Sequence, residues 1–397
     1  MSANRTFSIS EATSLFKIKY GKLSENVYNS ANVTLGRCKK SYDFTGKYKF
    51  IPVPSSFAGG VGSGSLPTAN TAAYVDANIY RKKLYAVVEI DRETIKASVN
   101  DEGSFVRATK EVVQKGVESW MRNMSRILFN SLDNGSVGTI SANATGTAAA
   151  PVCVISDATW KEANFEERDI LDGASSTFEV TSVDVDTKTV TLARLSGSED
   201  LTGTGSGQKL YMQNSGGNDP EGIASVVGAT SGTKYNISIA RRWESYKKDA
   251  SSASLSTDLM NNVMLQTEKK CGKAPDMIVT SYKQYEKLLN LLEDQKRYTI
   301  GPRDKSLKGK VSFDGVQFMS AKGPIGIFAE RFCDDDKMYF LNSNHIHIYH
   351  APDFGWFDDD GTVFLRKADS DAYEARYGGY LQVFVNPNFH GLLHTLA

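Results

Sequence analysis

The sequence predicts a mixed α+β chain whose helices and strands are segregated instead of alternating. Three observations carry that expectation. A strand-like run from Asn78 to Asp91, rich in β-branched and aromatic residues, leads into one long amphipathic helix. A stretch poor in core residues sits between two strands and reads as a projecting β-arm. A β-rich segment with loop-like borders interrupts the chain midway.

Taken in order, residues 1 to about 45 form an N-terminal arm, with a short helix expected from Ser10 to Tyr20 and a loose remainder. Residues 46–90 form an extended β-loop, with strands at Tyr48 to Val53 and Ala77 to Ile90. Between Pro52 and Tyr74 the chain is small and polar, so the tip cannot fold over a core of its own. Either it becomes ordered by lying on another chain, or it is a surface loop. Phe57, Gly59, Gly60, Leu66, Pro67 and Tyr74 are the residues expected to contact a neighbour.

Residues 91–134 hold the helix. Phe105, Val112, Val117, Trp120, Met124 and Leu128 lie on one stripe, with Ala108, Val113, Met121, Ile127 and Leu132 beside them. That stripe lasts about seven or eight turns, a rod of about 45 Å. A compact enzyme seldom needs such a rod; a broad subunit that meets neighbours at both ends does.

Residues 135–222 begin with a Gly/Ala/Thr-rich linker at 134–150 and continue as an inserted β-barrel or sandwich. Its strands are expected around Thr177 to Val185, Thr189 to Leu195 and Lys209 to Gln213. Residues 223–397 resume the host. A helix from Leu255 opens on Ser/Thr/Asp and stops at Gly272, a strand follows Pro275, and a second helix runs from Ser281 through Tyr285, Leu288, Leu289 and Leu292. Five short strands close the chain, at 313–319, 337–341, 345–349, 362–366 and 377–385.

Composition narrows the function. The 397 residues carry 46 basic and 46 acidic side chains, so the chain lacks the basic excess of a protein that grips nucleic acid. The balance is uneven: the first 50 residues hold nine Lys/Arg against three Asp/Glu, whereas 151–230 is acidic. No apolar signal segment or membrane-length run occurs, so no membrane partner is expected. The four cysteines (Cys38, Cys153, Cys271, Cys333) have no metal-ligand spacing and read as reduced thiols.

Sites for chemistry are weak. His345 and His347 would share one face of a strand, with His350 and Asp353 near, but two imidazoles make an incomplete metal site. Asp334-Asp335-Asp336 and Asp358-Asp359-Asp360 read as solvated loops, and Asp360-Gly361 as a hairpin turn. The glycines at 59–64 lack the Lys-Ser/Thr and the helix of a phosphate cradle. No catalytic residue, cofactor or metal is assigned.

Several motifs occur in order along the chain. One runs through Ile95-Lys96-Ala97-Ser98 to Gly103-Ser104-Phe105-Val106-Arg107-Ala108 at the helix start, and the helix ends on residues 126–135. Pro275-Asp276-Met277-Ile278-Val279 joins a strand to a helix. Asp360-Gly361, Arg366 and Asp371-Ala372-Tyr373-Glu374-Ala375 follow near the end. This set resembles the major capsid proteins of tailed bacteriophages, whose fold is shared with herpesvirus capsids. The resemblance implies an extended loop over a neighbouring subunit, a spine helix in a peripheral domain, and an axial domain from about Ile223. It also implies a homo-oligomeric icosahedral shell of hexamers and pentamers around double-stranded DNA, assembled in the host cytoplasm. Only about 45 residues precede the arm, too few for a cleaved scaffolding region unless the chain is already the mature form, so a separate scaffolding protein is expected, with a portal and a decoration protein. Lys82 and Lys83 stand at the arm's base, so covalent cross-linking is not expected. An encapsulin-type compartment of the same fold and a mixed α+β enzyme are the alternatives.

Overall fold

The computed structural model describes residues 33–42, 44, 46–56, 73–92, 102–132, 135–240, 243–294, 317–320, 323–351, 355–358, 361–368 and 370–397. The expected helix from Ser10 to Tyr20, the arm residues Phe57, Gly59, Gly60, Leu66 and Pro67, and Lys96, Asp353 and Asp360 lie outside the described residues.

Part of the N-terminal region is anchored, not loose. Helix α1 (Val33–Arg37) and strand β1 (Lys39–Ser41) follow one another, and Leu35 and Phe44 are fully buried. Strands β2 (Tyr48–Ser56) and β3 (Ala73–Tyr80) form a two-stranded antiparallel hairpin, and β4 (Lys82–Asp91) follows. The single strand expected from Ala77 to Ile90 is thus two. Arg81 breaks it: its N–H donates to Lys47 O, and its guanidinium donates to Phe44 O at 2.6 Å. There the chain leaves the hairpin and enters the body.

Helix α2 (Glu102–Phe129) has 28 residues, about 42 Å of rod. Val117, Trp120, Met121, Met124 and Leu128 are buried along its core stripe. Phe105, Arg107 and Val112 fall on its first half, where the side chains lie outside the described residues. Gly116 sets the closeness of packing, because a Cβ there would meet Val88 Cγ2 of β4 at 2.4 Å.

The chain then builds a barrel from β5 (Ser136–Thr139), β6 (Thr145–Thr147), β7 (Ala150–Val154), β8 (Ile170–Asp172), β9 (Thr177–Asp184), β10 (Thr189–Ser196) and β11 (Lys209–Met212), with a one-turn helix α3 (Leu201–Thr204) before the last. The order is β5-β11-β8-β9-β10-β7-β6. An antiparallel bridge between Ile140 and Ile155 joins the ends of β5 and β7, and Ser156 N–H donates to Thr139 O at 2.8 Å. Closure leaves only β6 at an edge. Val137, Cys153, Leu171, Phe178, Val190, Leu192 and Leu210 fill the interior. The expected linker at 134–150 therefore contains two strands. Its signal was hidden because β5 contributes one large core side chain, Val137, and ladder pairing is made by backbone.

Beyond the barrel lie α4 (Ile223–Val227), β12 (Thr233–Lys234), β13 (Ile237–Ser238), β14 (Tyr246–Asp249), α5 (Thr257–Cys271), β15 (Met277–Thr280) and α6 (Tyr282–Asp294). After them come β16 (Gln317–Ser320), β17 (Gly323–Ala329), β18 (Met338–Leu341), β19 (Ile346–His350), β20 (Gly355–Trp356), β21 (Leu365–Arg366), β22 (Ala372–Val385) and β23 (Gly391–His394). Ser256 caps α5 and Gly272 closes it at φ +73°, as the sequence punctuation predicts. Leu289 of α6, expected on the apolar stripe, is exposed.

A mixed sheet runs β14-β23-β18-β15-β17-β16, and its central strands β18 and β15 are buried on both faces. Met277, Val279, Tyr339 and Leu341 point into the central core beside α2; Ile278, Met338 and Phe340 point the other way, onto α5 and α6. A second sheet gathers β1, β19, β20, β21 and β4 around the 14-residue β22. β22 starts five residues before the expected Tyr377, because β4 pairs along all of 372–381. β20 and β21 each pair with β22, and the turn expected at Asp360-Gly361 lies partly outside the described residues.

His390 is wholly buried beside β18, accepting from Asn342 N–H at 3.2 Å. Burial, and secondarily His345, lower its pKa from 6.5 to about 3. The unfolded chain therefore binds more protons than the folded one below pH 6.5, and stability is expected to fall as pH drops towards 3. His390→Gln should flatten the change in urea midpoint between pH 7 and pH 4.5.

Candidate assembly surfaces

The hairpin has two unlike faces, as alternation requires. Ile51 and Val53 of β2, with Ala77 and Ile79 of β3, face the central core. Tyr48, Phe50, Pro52 and Pro54 face outward, opposite Tyr80, Asn78, Asp76 and Tyr74 respectively. Tyr48, Phe50, Tyr74 and Tyr80 are 46–59% exposed. Tyr48 meets Phe50 and Tyr80 edge-on, with centroids 4.9 and 6.1 Å apart. The protein leaves about half of each of these rings uncovered, on one face of one hairpin. On β4, Tyr85 and Val87 extend the exposed apolar surface towards the body.

The barrel is held to the body by ion pairs, one of them through an aspartate read in the sequence as a solvated loop. Lys161, just after β7, sends its ammonium to Asp334 at 2.6 Å and donates to the carbonyls of Phe129 and Phe332, both at 3.0 Å. Lys337 reaches the other oxygen of Asp334 at 2.6 Å. Asp334 is therefore not in a solvated loop: its side chain is 11% exposed. Burial alone would raise its pKa, but Lys161 and then Lys337 outweigh that and hold it at about 2. Arg122 of α2 grips Asp169 through two nitrogens, at 2.7 and 2.9 Å, and Arg126 meets Asp219 at 3.0 Å. Acidic residues of the barrel segment thus meet basic partners on the rod helix. Two arginines one turn apart on a helix with an apolar stripe (Arg122, Arg126) were the available signal, but their partners lie about 50 and 90 residues away.

The histidines do not share one strand face. His345 sits in a single turn (Ser343–His345) and stacks on Phe389 at 3.6 Å, while His347 lies on β19. Among the described residues no group of three His, Cys, Asp or Glu is placed to hold a metal ion. No helix among them is long and apolar enough to cross a membrane.

The remaining motif residues are structural joints. Asp276, after Pro275, accepts from Ser343 N–H at 2.9 Å and from its hydroxyl, tying β15 to the turn before β19. Asp371 pairs with Arg92 at 3.1 Å, and Tyr373 and Glu374 lie in register with Ile90 and Glu89. Gly361 takes φ +77° in the loop between β20 and β21.

A rod helix packed against β4, a two-faced mixed sheet and a hairpin with one exposed aromatic face make up the architecture in which these motifs stand. Residues 81–362 match the family of the SU10 major capsid protein, and the chain belongs to that family. It is a major capsid protein that builds a homo-oligomeric shell. The capsid subunit of cyanophage A-1(L) is similar at 12% identity and TM-score 0.50, over 95% of this chain and 93% of that one. An SrpI encapsulin of Synechococcus elongatus PCC 7942 is similar at 6% identity and TM-score 0.45, over 90% and 85%. No curated protein matches in sequence.

Proposed function

We propose that copies of this chain close an icosahedral shell of hexamers and pentamers around packaged double-stranded DNA, assembling in the host cytoplasm. A separate scaffolding protein, a portal and a decoration protein are its partners. The chain acts by assembly and not by catalysis. The exposed aromatic face of the β2–β3 hairpin carries this reading: it is the surface that a neighbouring subunit would cover. Helix α2 is the spine of a peripheral domain, and the sheet from β14 to β23 belongs to an axial domain. The barrel, at residues 135–222, steadies contacts on the shell.

Expression of the chain with its co-encoded neighbours, followed by negative-stain microscopy, tests the reading. Closed shells or rings of five and six support it; a persistent monomer in that setting refutes it. The combined substitution Tyr48→Ser, Phe50→Ser and Tyr80→Ser should leave the thermal midpoint within about 3 °C, because these rings are exposed, yet abolish closed shells. Loss of fold in that variant, or normal shells, would remove the hairpin from the assembly surface.

A further inference from the structure

The barrel and the body are two apolar units joined by an ionic seam. Among the described residues their buried clusters share no member: side chains from Val137 to Leu210 fill the barrel, and from residues 135–212 only Ala163 joins the body's cluster. One loop, residues 160–169 between β7 and β8, carries most of the seam. It is fixed to the barrel by Phe165, which lies in the interior and stacks on Trp160 at 5.5 Å, and by Asn164, whose Nδ2 donates to Val137 O at 2.8 Å. Its charged side chains reach the body. Lys161 meets Asp334, Asp169 takes both nitrogens of the Arg122 fork, and Glu166 Oε1 stands 3.2 Å from Arg122 Nε and 3.2 Å from Arg331 Nη2. The Asp169 carboxylate also accepts from Glu166 N–H at 2.9 Å, so the loop's own backbone and α2 hold the same group.

A seam of this kind opens more readily than a core. The desolvation penalty of half-buried ion pairs offsets much of their attraction, and separating them returns the charges to water. Opening an apolar cluster returns nothing comparable. The chain also passes between the two units twice, and the crossings lie side by side. Gly135 on the way in and Gly217 on the way out take left-handed backbone, at φ +82° and +71°. A Cβ on Gly135 would stand 2.9 Å from Asp219 Oδ2 of the returning strand of chain. Adjacent crossings leave one axis about which a rigid unit can turn, whereas distant ones would pin it.

We infer that the barrel is a latched, hinged unit: the ion pairs of the 161–169 loop hold it against α2 and residues 331–337, and the latch opens about the paired crossings while both apolar cores stay folded. The orientation of the barrel on the subunit is then set by Arg122 and Lys161, and it can change without unfolding either part. This property belongs to the single chain and holds whether or not shells form.

The test is native-state hydrogen exchange of the full-length chain in sub-denaturing urea. The amides of 164–166 report the latch, those of β9 and β10 the barrel, and those of β18 and β22 the body. In wild type the latch amides should exchange through an opening with a smaller urea dependence than either core. In Arg122→Gln/Lys161→Gln they should exchange at least about tenfold faster while β9 and β10 stay within about twofold. Spin labels at Thr187→Cys, in the turn between β9 and β10, and Leu265→Cys on α5, in a Cys271→Ser background, read the swing itself. Their distance distribution should be narrow in the otherwise wild-type chain and broad with the two latch substitutions. Equal urea dependence of latch and barrel amides in wild type would make the seam and the barrel one cooperative unit and overturn the inference, even if the double variant did not fold. Unchanged latch exchange, or the same label distances in both chains, would overturn it as well.

Discussion

Trp120→Asp is expected to abolish folding. Trp120 is 1% exposed in the middle of α2 and meets Tyr377 of β22 edge-on, with centroids 5.7 Å apart and planes at 90°. Truncating a buried tryptophan costs about 3–5 kcal/mol, and an unpaired buried carboxylate adds several more. The sum is comparable to the whole stability of a domain, about 5–15 kcal/mol. The control is Ser119→Asp, the same aspartate one residue earlier on the exposed side of the same helix, where an effect of about 0.5 kcal/mol is expected. Circular dichroism and urea titration of the two variants separate a core role from an assembly role. A folded Trp120→Asp chain would mean that α2 does not carry the central core.

Asp334→Ala is expected to cost about 3–5 kcal/mol, because it leaves the ammonium groups of Lys161 and Lys337 without their carboxylate. Lys161→Met should cost less: Asp334 keeps Lys337, and the methionine stem still fills the space. The pH dependence follows from the depressed pKa. The unfolded carboxyl titrates near 3.8 and the folded one near 2, so this stabilisation is complete above pH 3.8 and lost as pH falls towards 2. Hydrogen exchange localises the effect. In Asp334→Ala, amides at the junction, around 129–136 and 332–337, should exchange faster while those of β9 and β10 inside the barrel hold. Uniform acceleration through the barrel would show that the ionic cluster supports the barrel itself and not its docking.

The ion cluster also shows where sequence reading stopped. Lys161, Asp334 and Lys337 have no local pattern: a lysine after a β-strand and an aspartate in an acidic triplet each read as solvated. Only the fold, which sets residue 161 against residue 334, turns them into a buried set. His345 failed for a similar reason. Period-two alternation placed it with His347, but the Asn342 side chain accepts from Asn344 N–H and starts a tight turn that removes His345 from the strand.

What the sequence determined by itself was whatever periodicity and local punctuation carry. The rod helix is legible because its stripe repeats every 3.6 residues from Val117 to Leu128, and α5 because Ser256 and Gly272 satisfy its ends. The outward face of Tyr48, Phe50 and Tyr80 on the hairpin was legible only once the strand register set it. The tertiary structure alone decided the pairings between distant segments. The barrel closes through Ile140 and Ile155, β22 extends because β4 lies along it, and β14 is a strand because β23 offers it a parallel edge. β5, β6, β14 and the first five residues of β22 are short and polar or rich in glycine, so they have no apolar rhythm of their own. Their order comes from hydrogen bonds to a neighbour that only the folded chain supplies.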